Sequence, residues 1–249
     1  QISLSILRLI GTIGTLGYSS ESHEHDENSI DPLHLLSSQS ISLFVLERLI
    51  SYLKEPTPSV FEAITSIFKH QPLLAVRYLN QVINAFIIAI GVGDGIDTLF
   101  NELEIISYYS NTHMIPFLPS LMNIARQYFV NINCLKWLVT LSFQLKVEFK
   151  SYVNILYPIA IKYLDVVDKL FLSYLLKFIS IGIIYQNQSM DLFLEALETQ
   201  FSSIKSINSW HVSMILKCLS LIVQNISTKL FTSRLSAICF HLMSIEMTP

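Results

Sequence analysis

The sequence predicts an all-α protein built from stacked helix pairs, and three observations support this fold class. Apolar residues recur at positions i, i+3, i+4, i+7 and i+11, which is the spacing of one face of an α-helix. This pattern returns at intervals of roughly 40 residues, as it does in helical-repeat proteins. No run with a two-residue period lies between Asn-Gly or Asp-Gly turns, so the sequence carries no strand signal.

The repeated apolar pattern also predicts the core. Its four complete copies are Leu79, Val82, Ile83, Phe86, Ile90; Leu118, Leu121, Met122, Ala125, Phe129; Tyr152, Ile155, Leu156, Ile159, Tyr163; and Met190, Phe193, Leu194, Leu197, Phe201. An imperfect copy follows at Phe231, Leu235, Ile238 and Leu242. We expect the structural core to contain Leu79, Val82, Ile83, Phe86, Leu118, Leu121, Met122, Tyr152, Ile155, Leu156, Phe193 and Leu197.

Residues 1–58 predict a first helix pair that is interrupted by a polar insertion. A helix over about 2–16 ends in a glycine-rich stretch, and a second helix covers about 40–54. Between them, residues 18–38 are rich in Ser, Glu, His and Asp, which predicts an exposed and flexible loop. Four serines in acidic surroundings are candidate phosphorylation sites in a regulatory loop: Ser19, Ser20, Ser22 and Ser29.

Residues 59–249 predict five further helix pairs with short connections. Pro56 and Pro58 open a helix over 59–70, Pro72 separates it from a helix over 73–90, and glycines at 91, 93 and 95 form the next turn. The remaining helices are predicted over 96–110, 115–130, 133–147, 151–164, 168–186, 189–203, 208–226 and 229–245.

The spacing of these pairs predicts the architecture. Their first helices begin near 59, 96, 133, 168 and 208, so successive pairs lie 37, 37, 35 and 40 residues apart. HEAT and armadillo repeats span about 40–47 residues. The prediction is therefore a HEAT-like α-solenoid of about six antiparallel helix pairs, cut from a longer chain.

Composition argues against several function classes. The net charge is −3 and no basic stripe appears, which disfavours nucleic acid as a partner. The chain is 51% hydrophobic, but its most apolar windows contain Arg77 or Lys177, which favours buried helices over transmembrane ones. Three widely separated cysteines, Cys134, Cys218 and Cys239, are typical of reduced core residues in an intracellular compartment.

No motif predicts catalysis, a cofactor or a metal in these residues. The glycines at 91–95 follow a helix and lack the Lys-Ser/Thr ending of a phosphate loop. His23 and His25 lie among acidic residues, but a flexible loop lacks the fixed geometry of a closed metal site. Neither a His-Arg-Asp nor an Asp-Phe-Gly sequence is present, so no kinase active site can be built here.

Several stretches match a known family in order and spacing. They are Ile6-Leu7-Arg8-Leu9-Ile10-Gly11 with Gly14 and Gly17, Ala63-Ile64-Thr65-Ser66-Ile67-Phe68-Lys69, Val76-Arg77-Tyr78-Leu79-Asn80-Gln81-Val82, Phe117-Leu118-Pro119, and Glu148-Phe149-Lys150-Ser151-Tyr152. Over about residues 4–165 the chain thereby resembles the HEAT-repeat region of the target-of-rapamycin (TOR) kinases, which belong to the phosphatidylinositol-3-kinase-related protein kinases. It departs from the family in having Tyr18-Ser19 where an Asp-Pro usually follows the glycine helix.

This resemblance implies a non-catalytic scaffold segment of a serine/threonine protein kinase in growth and nutrient signalling. The catalytic domain, with its ATP and Mg, would lie downstream of these residues. The expected partners are proteins, either kinase-complex subunits or a second protomer, with no nucleic acid and no transmembrane segment. The expected location is the cytoplasm, including the surface of internal membranes reached through partners.

Other function classes stay open at this stage. A stand-alone HEAT or armadillo adaptor in transport or trafficking would have polar caps at both ends of the repeat stack. A multispan membrane protein would turn its polar residues inward. A small-molecule enzyme is the weakest alternative, because no nucleophile, base and orienting group can be assembled from the sequence.

Overall fold

The computed structural model describes residues 32–54, 56–165, 168–186, 188, 190–203 and 209–225, together with residues 236, 238 and 240. Helices make up nearly all of these ranges, and no strand occurs within them. The predicted all-α fold class is confirmed for this part of the chain. The predicted helix over 2–16 and the candidate phosphorylation sites at residues 19–29 lie outside the described residues.

Ten α-helices cover the described ranges. They are α1 (Pro32–Ser51), α2 (Pro58–His70), α3 (Pro72–Val92), α4 (Ile96–Ser110), α5 (Leu118–Gln127), α6 (Ile132–Leu145), α7 (Lys150–Lys162), α8 (Lys169–Gln186), α9 (Met190–Ser203) and α10 (Ser209–Asn225). Short 3-10 segments join some of them: Tyr52–Lys54, Asn111–Phe117 and Lys146–Phe149.

Several helix ends lie at the Asn and Gly residues that the sequence places there. Asn131 caps α6, since its side-chain oxygen accepts the backbone N–H groups of Asn133 (2.9 Å) and Cys134 (3.1 Å). Gly93 ends α3 with a φ of 85°, a left-handed conformation that glycine adopts without steric cost. Gly95 has a φ of 61°, and a Cβ there would lie 2.5 Å from Pro58 Cγ. The predicted glycine turn is therefore required by both conformation and space.

Two predicted boundaries are wrong. The polar insertion was expected to reach residue 38, but α1 begins at Pro32, whose ring presets the helical φ for the first turn. A single helix was expected over 115–130, but this region begins with the 3-10 segment Asn111–Phe117, and α5 starts only at residue 118. Pro116 explains the delay, because it lacks the N–H that a continuous α-helix would use.

The chain divides into two compact units, Gln1–Ile124 and Ala125–Pro249, with the boundary inside α5. In the first unit, α1 packs against α2 and α3, α2 packs against α3 and α4, and α3 packs against α4. The rings of Phe61 and Phe86 join α2 to α3 with their centroids 4.1 Å apart, and both side chains are fully buried. An apolar core therefore runs through this unit.

In the second unit, α8 packs against α6, α7 and α10, and α7 also packs against α9. Its largest fully buried side chains include Trp137 of α6, Tyr157 of α7 and Phe178 of α8. Phe178 meets Phe129 edge-to-face at 6.2 Å, a favourable aromatic geometry. Helix α8 is thus the central element of this unit.

The repeated apolar pattern locates the core correctly in three of its copies. The predicted residues of α3, α5 and α9 are buried: Leu79, Val82, Ile83, Phe86, Leu118, Leu121, Met122, Phe193 and Leu197. These positions face inward because they share one side of each helix.

In α7 the predicted register is wrong by one residue. Ile155 was expected in the core, yet 48% of it is exposed, and Tyr152 is only partly buried. The buried positions are instead Val153, Leu156, Tyr157, Ala160 and Leu164, which follow the same spacing one residue later. Residues 152 and 153 are both apolar, as are 155 and 156, so the sequence fits either register. Packing against α8 and α9 selects the second one.

Candidate functional site

An open groove of about 550 Å³ lies between α8 and α10 in the second unit. From α8 it is lined by Lys169, Leu170, Ser173, Leu176, Lys177 and Ser180. From α10 it is lined by Met214, Lys217, Cys218 and Leu221. The α10 positions are spaced i, i+3, i+4 and i+7, so they form one face of that helix, and the α8 positions do the same over three turns.

The start of α8 is fixed by a capping residue. The Asp168 side chain accepts the backbone N–H of Phe171 at 2.6 Å, which satisfies one of the free donors in the first helical turn. Lys169 and Leu170 follow directly and lie at one end of the groove. The cap therefore holds the end of the groove in place.

The floor of the groove is neutral. Leu176, Ser180 and Cys218 are buried there, and the Cys218 sulfur lies 3.6 Å from the backbone oxygen of Leu176 and 3.9 Å from Ser180 Oγ. Burial raises the pKa of the Cys218 thiol to about 12, so the thiol stays protonated near neutral pH. A protonated, buried thiol is a packing group and a poor nucleophile.

The rim of the groove is cationic. Lys169, Lys177 and Lys217 are exposed, and no acidic residue is among the described residues that line the groove. The Lys177 ammonium lies 4.9 Å from the centroid of the Tyr174 ring, a cation–π contact that holds it at the edge. The site therefore combines an apolar interior with three positive charges around it.

A second exposed surface lies at the C-terminal ends of α6 and α8. Phe143 and Tyr185 are 56% and 40% exposed, and their rings meet edge-to-face at 6.4 Å. Lys146 places its ammonium 5.9 Å from the Tyr185 ring, and Val147 beside it is 68% exposed. We call these four residues the aromatic patch. Exposed aromatic side chains are enriched at protein interfaces.

Polar residues below this patch join α6 to α8. Gln186 Nε2 donates to Ser142 Oγ at 2.9 Å and to the Lys146 carbonyl at 3.1 Å, and the Gln186 side chain is fully buried. These bonds satisfy backbone and side-chain acceptors at the point where α6 ends. They fix the relative positions of the two helices that carry the patch.

Sequence reasoning missed both surfaces. The predicted site residues were core positions and the four serines, and the serines lie outside the described residues. The groove depends on α8 and α10 lying side by side, which no local pattern encodes. The sequence of α10 does indicate one wall of the groove, because Met214, Lys217 and Leu221 lie on one helical face that combines apolar and positively charged side chains.

Metal and membrane features can be stated for the described residues. Within those ranges, no three His, Cys, Asp or Glu side chains lie close enough together to hold a metal ion. In the same ranges, α8 alone is long and apolar enough to cross a membrane, and 56% of it is buried inside the protein. A core helix and a spanning helix both meet that criterion of length and composition.

Comparison with known proteins does not assign the chain to a family. No family model matches the sequence, and no solved structure matches the fold.

Proposed function

We propose that these residues form a non-catalytic helical-repeat scaffold segment of a TOR-like serine/threonine protein kinase, in which they hold partner proteins in place. The repeats would be HEAT-like antiparallel helix pairs, about six in number, stacked as an α-solenoid. The partners would be subunits of the kinase complex or a second protomer, and the site of action would be the cytoplasm or the surface of internal membranes.

The observation that carries the proposal is the pattern of helix contacts within each unit. In the first unit α2 packs against α4, and in the second α6 packs against α8, α8 against α10, and α7 against α9. In these four contacts a helix packs against the helix two positions further along the chain, as it would if successive helix pairs were stacked. Stacking of this kind lets every pair bury a face that it could not bury alone.

The exposed surfaces of the second unit support a binding role. The lysine-rimmed groove and the aromatic patch both present apolar groups beside positive charges. Large exposed apolar groups with a polar rim are typical of protein interaction sites. The ordered resemblance over residues 4–165 then supplies the kinase family as the proposed parent.

The parent gene tests the assignment directly. Sequencing of the full transcript that encodes these residues is expected to show a phosphatidylinositol-3-kinase-like catalytic domain downstream. A reading frame without any such domain would contradict the kinase assignment and would favour a stand-alone adaptor.

The scaffold role has its own biochemical test. In the full-length parent, the double substitution Phe143→Ser with Tyr185→Ser removes the exposed aromatic patch. We expect it to reduce co-purification of partner subunits while phosphorylation of a short peptide, measured with ATP and Mg, stays unchanged. An equal loss of peptide phosphorylation would show that the segment acts in catalysis and would overturn the scaffold role.

A further inference from the structure

We propose that the lysine-rimmed groove between α8 and α10 binds an acidic amphipathic helix of a partner protein. This inference rests on the proposed function as a protein-binding scaffold, and it names the partner chemistry for one surface. Its support comes from the dimensions of the groove, its apolar lining and its charge.

The dimensions suit a short helix. The lining residues of α8 extend from Lys169 to Ser180, a distance of about 16 Å at the α-helical rise of 1.5 Å per residue. A partner helix of about three turns would fill this length. The groove is open to solvent, so a partner helix can reach its lining.

The lining offers apolar contacts on both walls. Leu170 of α8 is 59% exposed and Leu221 of α10 is 47% exposed, and Met214 of α10 is partly exposed. A helix that presents apolar residues at i, i+3, i+4 and i+7 can place them against such a surface. Met214 adds an unbranched side chain that adapts to different partner shapes.

The charge selects an acidic partner. Lys169, Lys177 and Lys217 surround the apolar lining, and the described lining contains no Asp or Glu to neutralise them. Long lysine side chains lay their methylene groups along apolar surface and keep the ammonium in water. Glu or Asp residues flanking the apolar stripe of the partner helix would therefore lie opposite the three ammonium groups.

The floor of the groove makes a helix a better match than a nucleic acid or a lipid. Nucleic acid binding uses rows of cations together with exposed aromatic rings for base stacking. The groove has three cations and a neutral floor of Leu176, Ser180 and Cys218. An acyl chain leaves water best in an enclosed cavity, whereas this groove is open to solvent.

Selection from a displayed peptide library tests the proposal on the whole 249-residue chain. The library would hold helix-forming peptides of about four turns with randomised charge. Selected peptides are expected to combine a helical apolar stripe with net negative charge. Selection of neutral or basic peptides, or no selected binder at all, would overturn the proposal.

A pair of matched variants locates the site. Lys177→Glu with Lys217→Glu reverses two rim charges, and Lys150→Glu with Lys162→Glu makes the same charge change at two exposed lysines of α7 that do not line the groove. Fluorescence anisotropy of a selected peptide should show a Kd raised about tenfold or more for the groove variant. The α7 variant should bind as the natural chain does. Melting curves of both variants check that the helices remain folded.

The outcomes separate this inference from the proposed function. Equal weakening in the two double variants would show non-specific attraction and would contradict the groove. If the Phe143→Ser and Tyr185→Ser substitutions weaken peptide binding and the groove variant does not, the peptide binds the aromatic patch. This result would contradict the present inference but would leave the scaffold role standing. Binding of phosphatidylglycerol vesicles that depends on Lys177 and Lys217, with no peptide binding, would replace the helix by a lipid surface. A missing kinase domain in the parent would affect the proposed function alone.

Discussion

The contact of α2 with α4 in the first unit and the contact of α6 with α8 in the second unit contain different polar groups. Between α2 and α4, the Thr65 hydroxyl is hydrogen-bonded to the carboxyl group of Glu102. Between α6 and α8, the Gln186 amide donates to Ser142 Oγ and the Lys146 carbonyl. Each contact therefore joins two helices that are not neighbours in the sequence through one polar cluster.

The difference between the two contacts lies in ionisation. Burial raises the pKa of the Glu102 carboxyl, and the hydrogen bond with Thr65 and the charge of Lys69 only partly oppose this effect. Gln186 has no charge to lose or gain. Of these two links, only the Thr65–Glu102 link can change its charge, so only this link makes the stability of its helix–helix contact depend on pH.

The largest expected effects come from deleting core side chains in one unit at a time. Phe86→Ala in the first unit should lower the free energy of unfolding by about 3–5 kcal/mol, and Leu175→Ala in the second by about 2–5 kcal/mol. Both side chains are fully buried. Hydrogen exchange read by segment should increase in α2–α4 for the first variant and in α6–α10 for the second. Increased exchange throughout the chain for either variant would show that the two units unfold together.

The Gln186→Glu substitution would convert the neutral link into an ionisable one. An unprotonated carboxylate cannot donate to Ser142 Oγ or to the Lys146 carbonyl, and its burial is costly, so we expect a loss of about 3 kcal/mol at neutral pH. The raised pKa of the new carboxyl means that stability should return as pH falls and the group takes up a proton. Thermal melting across pH 4–8 measures this.

Gln186→Met is the matched control for that substitution. It removes the same hydrogen bonds without adding a charge, so its stability loss should be about 1–3 kcal/mol and independent of pH. A pH-dependent loss in the methionine variant would contradict the comparison, because the dependence would then come from another group.

Helix ends could be predicted from the sequence, whereas contacts between distant residues could not. Pro72, Gly93 and Asn131 mark helix ends through local backbone and capping chemistry, so those ends were predicted closely. The links at Glu102 and Gln186 depend on residues 37 and 44 positions away, which no local pattern identifies. The groove was missed for the same reason.

The Glu102→Gln substitution should remove the part of the pH dependence of stability that comes from this carboxyl group. The raised pKa means that the folded state holds its proton at a higher pH than the unfolded state does. The natural chain is therefore expected to lose stability, relative to the variant, as pH rises from near 4.5 through the raised pKa. Differential melting temperatures across pH 4–8 test this. Parallel curves for the two proteins would contradict the assigned role of Glu102.

The smallest effect is expected at Ile155, and it tests a difference between two helices, α3 of the first unit and α7 of the second. The apolar pattern predicts the buried face of α3 in the first unit correctly, but in α7 of the second it is displaced by one residue.

Because Ile155 is 48% exposed, Ile155→Ala should change the free energy of unfolding by less than about 0.5 kcal/mol. Val153 is fully buried on the same helix, so Val153→Ala should cost roughly 1.5–3 kcal/mol. Chemical denaturation of the two variants compares them directly. A larger loss for Ile155→Ala would place that residue in the core and restore the register expected from the repeat, since packing against α8 and α9 would then favour the earlier face of α7.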